Sequence, residues 1–136
     1  MVRYSRGVYL VFVWLFIIGV LVQVFLAGMV VVSRQLGWIP HTTLGHLLSF
    51  PLVVMLVTMY LGQLPGPMKR LTWLLFVVYL LQADVLIFMR DSVPLLAAFH
   101  PVVALVDFWL GVTSIRENRV LNRQLTLQPE AQQVNR

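Results

Sequence analysis

Four long apolar runs dominate the chain, at residues 8–32, 41–63, 71–89 and 94–115. Since about 20 apolar residues in a helix cross the hydrocarbon core of a bilayer, each run has the length of a membrane span. Backbone polar groups in lipid must bond within their own segment, so the runs are expected to be helices. Charged residues make up only 11% of the chain, against roughly a quarter in soluble domains. The sequence therefore predicts an all-α integral membrane protein, with residues 1–115 forming one four-helix domain in the lipid bilayer.

The connections between the runs are short, which favours an up-down-up-down four-helix bundle with consecutive helices side by side. Pro51 lies inside the second run and removes a hydrogen bond to the carbonyl of Leu47, so a kink is expected there. The first run is longer than the apolar part of a signal peptide, which reaches about fifteen residues, and we expect it to be retained as a span. We find no second domain and no internal repeat in the sequence.

The net charge of +5 comes from basic residues at the ends of the apolar runs. This placement is typical of orientation by the positive-inside rule and argues against a nucleic-acid-binding surface. One side of the membrane receives Arg3, Arg6, Lys69, Arg70 and the cluster that starts at Arg116, and the other side receives Arg34 and Arg90. Both termini are therefore expected in the cytoplasm, and no nucleic-acid partner is expected.

The segment 116–136 differs in composition from the rest of the chain. Its first part, as far as Arg123, is polar and basic and is expected to continue the fourth helix. The part from Gln128 to Arg136 is rich in Gln and Asn and lacks an apolar stripe, which predicts partial disorder. We expect a polar cytoplasmic tail that does not contribute to the bundle.

Ionisable residues inside membrane spans are rare and usually face the bundle interior, so they are candidates for function. His46, Asp84 and His100 each lie about five or six residues inside a different run, counted from the same membrane face. At about 1.5 Å per residue, the three share a layer about 8–9 Å from that boundary. His41 lies at the boundary, five residues from His46 and therefore about 140° around the helix. Only one of His41 and His46 is expected to point at the bundle axis, and the sequence leaves the choice open.

Helices two and four oppose each other across the diagonal of such a bundle, and the candidate histidines lie on these two helices. Two imidazoles that reach inward from opposed helices are able to hold a haem iron from both faces. The chain has no cysteine, which excludes a thiolate metal site, an iron–sulfur cluster and thioether-linked haem. The sequence thus predicts haem b, with His100 as one axial ligand and His46 or His41 as the other.

Supporting roles at this site are predicted for three charged residues. Arg34 and Arg90, in the two loops at the same membrane face, suit the acidic substituents of a haem. Asp84, at the depth of the histidines, is expected to accept a hydrogen bond from the outer nitrogen of a ligating imidazole. Deeper in the fourth run, Asp107 either continues a proton path or, as its position near the helix end favours, pairs with Arg116 or a basic loop residue.

Three short motifs resemble those of one known family. They are Gln23-Val24-Phe25-Leu26-Ala27-Gly28, Trp38-x-x-His41-x-x-x-Gly45 and His100-Pro101-x-x-Ala104-Leu105. The pattern is similar to that of an uncharacterised family of bacterial four-span membrane proteins, a domain of unknown function, over residues 8–115. This resemblance implies a four-helix fold in the bacterial inner membrane and favours His41 on the second helix, but it implies no activity. The spacing of His41 and Gly45 also resembles that of small b-type cytochromes, where glycine leaves room for the edge of a ring.

The sequence contains no nucleophile elbow, no Gly-rich phosphate loop and no zinc-binding His-Glu-x-x-His helix. We therefore expect that the chain is not an enzyme by itself. One remaining function is a b-type haem protein that transfers electrons, alone or as a subunit. The other is a non-catalytic accessory subunit of a larger respiratory, photosynthetic or transport complex. In that case the histidines and Asp84 only hold helices together, and the partner is another membrane protein or a second copy of the chain.

Overall fold

The computed structural model describes residues 1–34 and 37–134, with side chains described as far as residue 123. Four helical segments in it are long and apolar enough to cross a membrane. In chain order, these first to fourth spans are Val2–Ser33, Ile39–Leu61, Gly66–Phe88 and Pro94–Arg123. The predicted all-α membrane fold with four helices is confirmed.

The spans are interrupted rather than regular helices. Their elements are α1 (Val2–Gly28), a π-helical turn (Met29–Ser33), α2 (Ile39–Leu47), α3 (Ser49–Leu61), α4 (Gly66–Leu80), a second π-helical turn (Leu81–Val85), α5 (Leu86–Phe88), α6 (Pro94–Ala97) and α7 (His100–Val134). Several helices extend beyond the predicted apolar runs, because a helix continues into the polar flanks until a residue stops it, whereas the second and third spans end inside their runs, at Leu61 and Phe88. The third span begins early, at Gly66, and Pro67 suits its first turn because no intrahelical bond there needs the N–H that proline lacks.

The kink expected from Pro51 separates α2 from α3. α2 ends at Leu47 and α3 begins at Ser49, with Leu48 between them in a turn conformation. The backbone N–H of Leu48 still donates to the carbonyl of Leu44 at 3.0 Å. Since Pro51 has no N–H to donate to the preceding turn, the regular helix is interrupted at this point, where a kink was expected.

The four spans form an up-down-up-down bundle. α1 packs against α3 and α7, and α4 packs against the same two helices. Consecutive spans are therefore neighbours, the fourth span is also a neighbour of the first, and the second and fourth spans face each other across a diagonal. The end of the bundle that contains residues 29–47 and 81–100 holds all three histidines, and we call it the histidine end. The opposite end, where α1 and α4 begin, is the N-terminal end.

The tight core lies in the middle of the bundle and toward its N-terminal end. Side chains with no solvent exposure there include Tyr9, Phe16, Met55, Met59 and Leu75. Among the described residues of the histidine end, by contrast, α2, α6 and both π-helical turns contain no buried residue. The histidine end is therefore much more open than the rest of the bundle.

The last helix, α7, extends beyond the fourth span and remains helical to Val134. The helix continues through Arg123 as predicted, since no glycine or proline occurs between Arg116 and Gln128. It also includes Pro129 and part of the segment 128–136, for which the composition predicts disorder. The interpretation of residues 116–136 as a tail outside the bundle stays a prediction.

Deletion of residues 128–136 is expected to leave the melting temperature of the protein unchanged, because this segment is polar and lies beyond the fourth span. Thermal unfolding of the truncated and full-length chains in the same detergent provides the measurement. A large decrease in melting temperature would show that the segment packs against the bundle.

Candidate functional site

Two of the three histidines meet at the histidine end. The imidazole rings of His41 and His100 have centroids 6.1 Å apart and planes inclined at 66°. His41 lies in the first turn of α2 and His100 is the first residue of α7, so both are presented by a helix start. The two rings come from the second and fourth spans and meet across the diagonal of the bundle.

Each imidazole is held by a backbone carbonyl of the span that precedes it. His41 Nδ1 lies 3.1 Å from the carbonyl oxygen of Gln23, and His100 Nδ1 lies 3.0 Å from that of Gln82. Because a carbonyl oxygen only accepts hydrogen bonds, Nδ1 of each ring carries a proton and donates it. In the neutral ring Nε2 then keeps a free lone pair. The site thus contains two oriented imidazoles, each with an available acceptor nitrogen.

The two histidines occupy equivalent positions in two similar helical hairpins. Gln23 and His41 are 18 residues apart, as are Gln82 and His100. The second pair follows the first by 59 residues, and Trp14 and Leu15 recur at the same offset as Trp73 and Leu74. The statement that the sequence has no internal repeat is therefore wrong. Alignment of the sequence with itself at this offset provides the signal that was missed.

The two glutamines are half-buried, and the side-chain oxygen of each is buried. The Oε1 atoms of Gln23 and Gln82 have no hydrogen-bond partner among the described residues. The amide of Gln23 also approaches Gly45 so closely that a Cβ atom there would lie 2.9 Å from Gln23 Nε2. Gly45 thus makes room for the amide of Gln23, whereas the sequence suggested room for the edge of a ring. Since a buried acceptor without a donor is unfavourable, the site is incomplete when only protein atoms are considered.

The structure brings His41, and not His46, next to His100. His46 is exposed on the second span, and its carbonyl accepts a hydrogen bond of 2.7 Å from Ser49 Oγ. From its depth in the membrane, His46 was expected to lie level with His100. In the structure His41 and His100 lie level with each other, because each lies at the start of its helix. Five residues further along α2, His46 points in another direction.

The three charged residues predicted to support the site do not meet the histidines in the structure. Asp84 is exposed on the second π-helical turn. The hydrogen bonds that it was predicted to accept from the imidazole nitrogens are accepted by backbone carbonyls instead. Arg34 is exposed in the first loop, with a left-handed backbone (φ 54°). Arg90 Nε lies 3.5 Å from the carboxylate of Asp91, its neighbour in the same loop.

A second polar group lies deeper in the bundle, on α7. The side chain of Asp107 has no solvent exposure, and neither of its carboxyl oxygens has a hydrogen-bond partner among the described residues. Arg116 is exposed, so the expected pairing of Asp107 with Arg116 is wrong. Toward the N-terminal end, the hydroxyl groups of Tyr9 and Thr72 share a hydrogen bond of 2.7 Å in the core.

Residues 23–86 match the model of a family of unknown function (DUF6220). The matched segment contains Gln23, His41 and Gln82, and ends before His100. The predicted resemblance to an uncharacterised family is confirmed. No curated protein and no solved structure matches the chain.

Proposed function

We propose that this chain is a small membrane-embedded haem b protein that accepts and donates single electrons, with His41 and His100 as axial ligands. The observation that carries the proposal is the 6.1 Å separation of the two imidazoles across the bundle diagonal. Two imidazoles that bind one metal ion from opposite sides, with metal–nitrogen bonds of about 2 Å, have ring centroids about 6 Å apart. The separation of His41 and His100 therefore suits one iron between them.

The hydrogen bonds of the two rings support the same function. A histidine that binds a metal usually donates its other ring N–H to a carbonyl or carboxylate, which fixes the ring orientation. Nδ1 of His41 and Nδ1 of His100 both have such a carbonyl partner. Two histidine nitrogens are also the number that a haem iron takes from a protein in six-coordinate cytochromes, whereas zinc usually takes three or four protein ligands.

The open packing of the histidine end supports a ligand larger than a metal ion. The elements α2 and α6 and both π-helical turns have no buried residue there. A flat macrocycle between the second and fourth spans adds apolar surface to this region. When bound, haem supplies a one-electron redox centre, and two axial histidines leave no coordination position for a substrate. We therefore assign electron transfer rather than catalysis.

The absorption spectrum of the purified protein tests this proposal. The expected result is a Soret band with sharp α and β bands after reduction, and about one haem per chain. A colourless protein that also fails to bind added haem would overturn the proposal.

We further propose that the protein lies in a bacterial cytoplasmic membrane with both termini in the cytoplasm. The support comes from the basic residues that flank the spans: the N-terminal end has more of them than the histidine end. Arg3, Arg6, Lys69, Arg70 and Arg116 belong to the N-terminal end, and Arg34 and Arg90 to the histidine end. The proposed haem then lies in the outer half of the membrane.

Cysteine labelling is expected to place positions 33 and 132 on opposite sides of the membrane. Because the natural chain has no cysteine, Ser33→Cys and Gln132→Cys each introduce the only thiol. A membrane-impermeant maleimide added to intact spheroplasts should react with the first variant, and with the second only after the membrane is broken. Labelling of both variants from the same side would show that the topology is wrong.

A second candidate function is a non-catalytic subunit of a larger membrane complex. The observation that favours it is the length of α7, which has 35 residues. At about 1.5 Å per residue, this helix is far longer than the roughly 30 Å of the hydrocarbon core, so it offers a surface outside the membrane. A colourless protein that migrates as a defined complex with another membrane protein or with itself would support this function over the first.

A further inference from the structure

One face of α7 directs a row of polar side chains into the bundle. Asp107 and Ser114 have no exposure, and Asn118 is 2% exposed. His100, Asp107 and Ser114 follow one another at intervals of seven residues, or nearly two helical turns. They therefore lie on one face, with about 10 Å of helix between successive residues. The row leads from the histidine pair toward the N-terminal end.

Asp107 differs from the other members of this row because its carboxyl group has no partner. Ser114 Oγ donates to the carbonyl of Leu110 at 3.0 Å, and Asn118 Oδ1 accepts from Asn122 Nδ2 at 3.0 Å. Both carboxyl oxygens of Asp107, in contrast, are buried and have no hydrogen-bond partner among the described residues. Intramembrane carboxyl groups that face the interior of a bundle are characteristic of proton relays. Asp107 thus has the position of a proton-binding group rather than of a structural ion pair.

Hydroxyl groups lie between Asp107 and the N-terminal end. Tyr9 on α1 and Thr72 on α4 are hydrogen-bonded at 2.7 Å, and Tyr9 also interacts with Ser114 on α7. Each hydroxyl is able both to donate and to accept a hydrogen bond, which is what proton transfer along a chain of groups requires. These three residues form a cluster of hydroxyl groups on the side of Asp107 that faces away from the histidines, about 10 Å further along α7.

We propose that Asp107 binds one proton when the site at His41 and His100 gains one electron. This inference rests on the haem function proposed above. The electron comes from an external one-electron donor and reduces the iron, while the proton comes from the aqueous phase at the N-terminal end and forms an O–H bond at the Asp107 carboxylate. The proton offsets the negative charge that the electron adds to a region of low dielectric constant.

The other titratable groups around Asp107 either have hydrogen-bond partners or are exposed. The hydroxyl of Tyr79, which interacts electrostatically with Asp107, donates to the carbonyl of Gly45. Tyr9 shares the hydrogen bond with Thr72 described above, and Asp84 is exposed. His41 and His100 donate through Nδ1 to carbonyls and would bind the metal through Nε2. Asp107 is thus the group in this set that is buried and has no hydrogen-bond partner among the described residues.

A redox titration of the haem-loaded protein from about pH 5 to about pH 9 tests the proposal. The midpoint potential should fall as the pH rises, with a slope of up to about 59 mV for each pH unit over the range in which Asp107 is ionised in the oxidised protein and protonated in the reduced protein. Asp107→Asn should abolish this dependence, and Asp107→Glu, which keeps the carboxyl group, should retain it. Asp91→Asn is the matched control, because it removes an exposed carboxylate from a loop at the histidine end.

Proton uptake by the natural protein provides a measurement that depends on no variant. A pH indicator should record an uptake of up to about one proton per haem when a reduced viologen, a one-electron donor that releases no proton, reduces the protein in weakly buffered solution. Absence of this uptake, or a pH dependence that survives in Asp107→Asn, would overturn the role of Asp107 while leaving the haem in place. Absence of haem would overturn this inference together with the proposed function.

Discussion

His41→Ala and His100→Ala are each expected to abolish the low-spin haem spectrum, since a six-coordinate iron between two imidazoles loses its coordination when either ring is removed. The ring centroids lie 6.1 Å apart, and the partners of the rings are backbone carbonyls that remain in both variants. Optical spectra of the purified variants, normalised to protein concentration, provide the measurement. Loss of at least about ten-fold in haem content is expected, because even the loss of a partner in the outer shell of a metal site typically costs about 10–100-fold in affinity.

His46→Ala is the matched control for this experiment. It removes a histidine from the same span, five residues from His41, but its ring is exposed and lies away from the pair. Its spectrum should equal that of the natural protein. An unchanged spectrum in His100→Ala, or loss of haem in His46→Ala alone, would contradict the assignment of the ligands.

Gly111→Leu is expected to destabilise the bundle strongly, because this glycine of α7 lies close to side chains of α1. A Cβ atom at position 111 would lie 2.7 Å from Cγ1 of Ile17 and 3.9 Å from a ring carbon of Phe16. Both neighbours are buried, so a leucine side chain must displace packed core residues. Overpacking of this kind typically costs about 1–3 kcal/mol of the free energy of unfolding, and a leucine belongs at the upper end of that range.

Gly28→Leu provides the control for this effect. It lies near the end of α1, and a Cβ atom there would meet nothing within 4 Å. Unfolding of both variants in mixed micelles with increasing denaturing detergent measures the difference in free energy. Equal stability of the two variants would contradict the close approach of α1 and α7 at Gly111.

The four spans and the kink of the second span follow from local properties of the sequence. Span positions depend on the length of apolar runs, and the kink depends on the N–H that Pro51 lacks. Both the span positions and the kink depend on residues that are close in sequence, and not on contacts between helices. The exact helix ends are less predictable, since α1 begins at Val2 and includes two arginines that the apolar run leaves out.

The partners of each polar residue in the site depend on helix rotation and tilt, which the sequence does not encode locally. His41 and His46 both lie on the second span, and the direction in which α2 leaves the kink decides which of them faces His100. Asp84 has the predicted depth but lies on an exposed face of its π-helical turn. The repeat was missed because most apolar residues are interchangeable in lipid, so that only a few positions such as the glutamine and histidine pairs remain identical.

The uneven packing of the bundle also bears on how such a protein is made. Its tight core, which includes Tyr9 and Met59, lies in the middle and toward the N-terminal end, whereas the histidine end has few buried residues. We therefore expect the four helices to insert and assemble without the proposed haem. In that case haem addition would be the last step of biogenesis, at a bundle that is already folded.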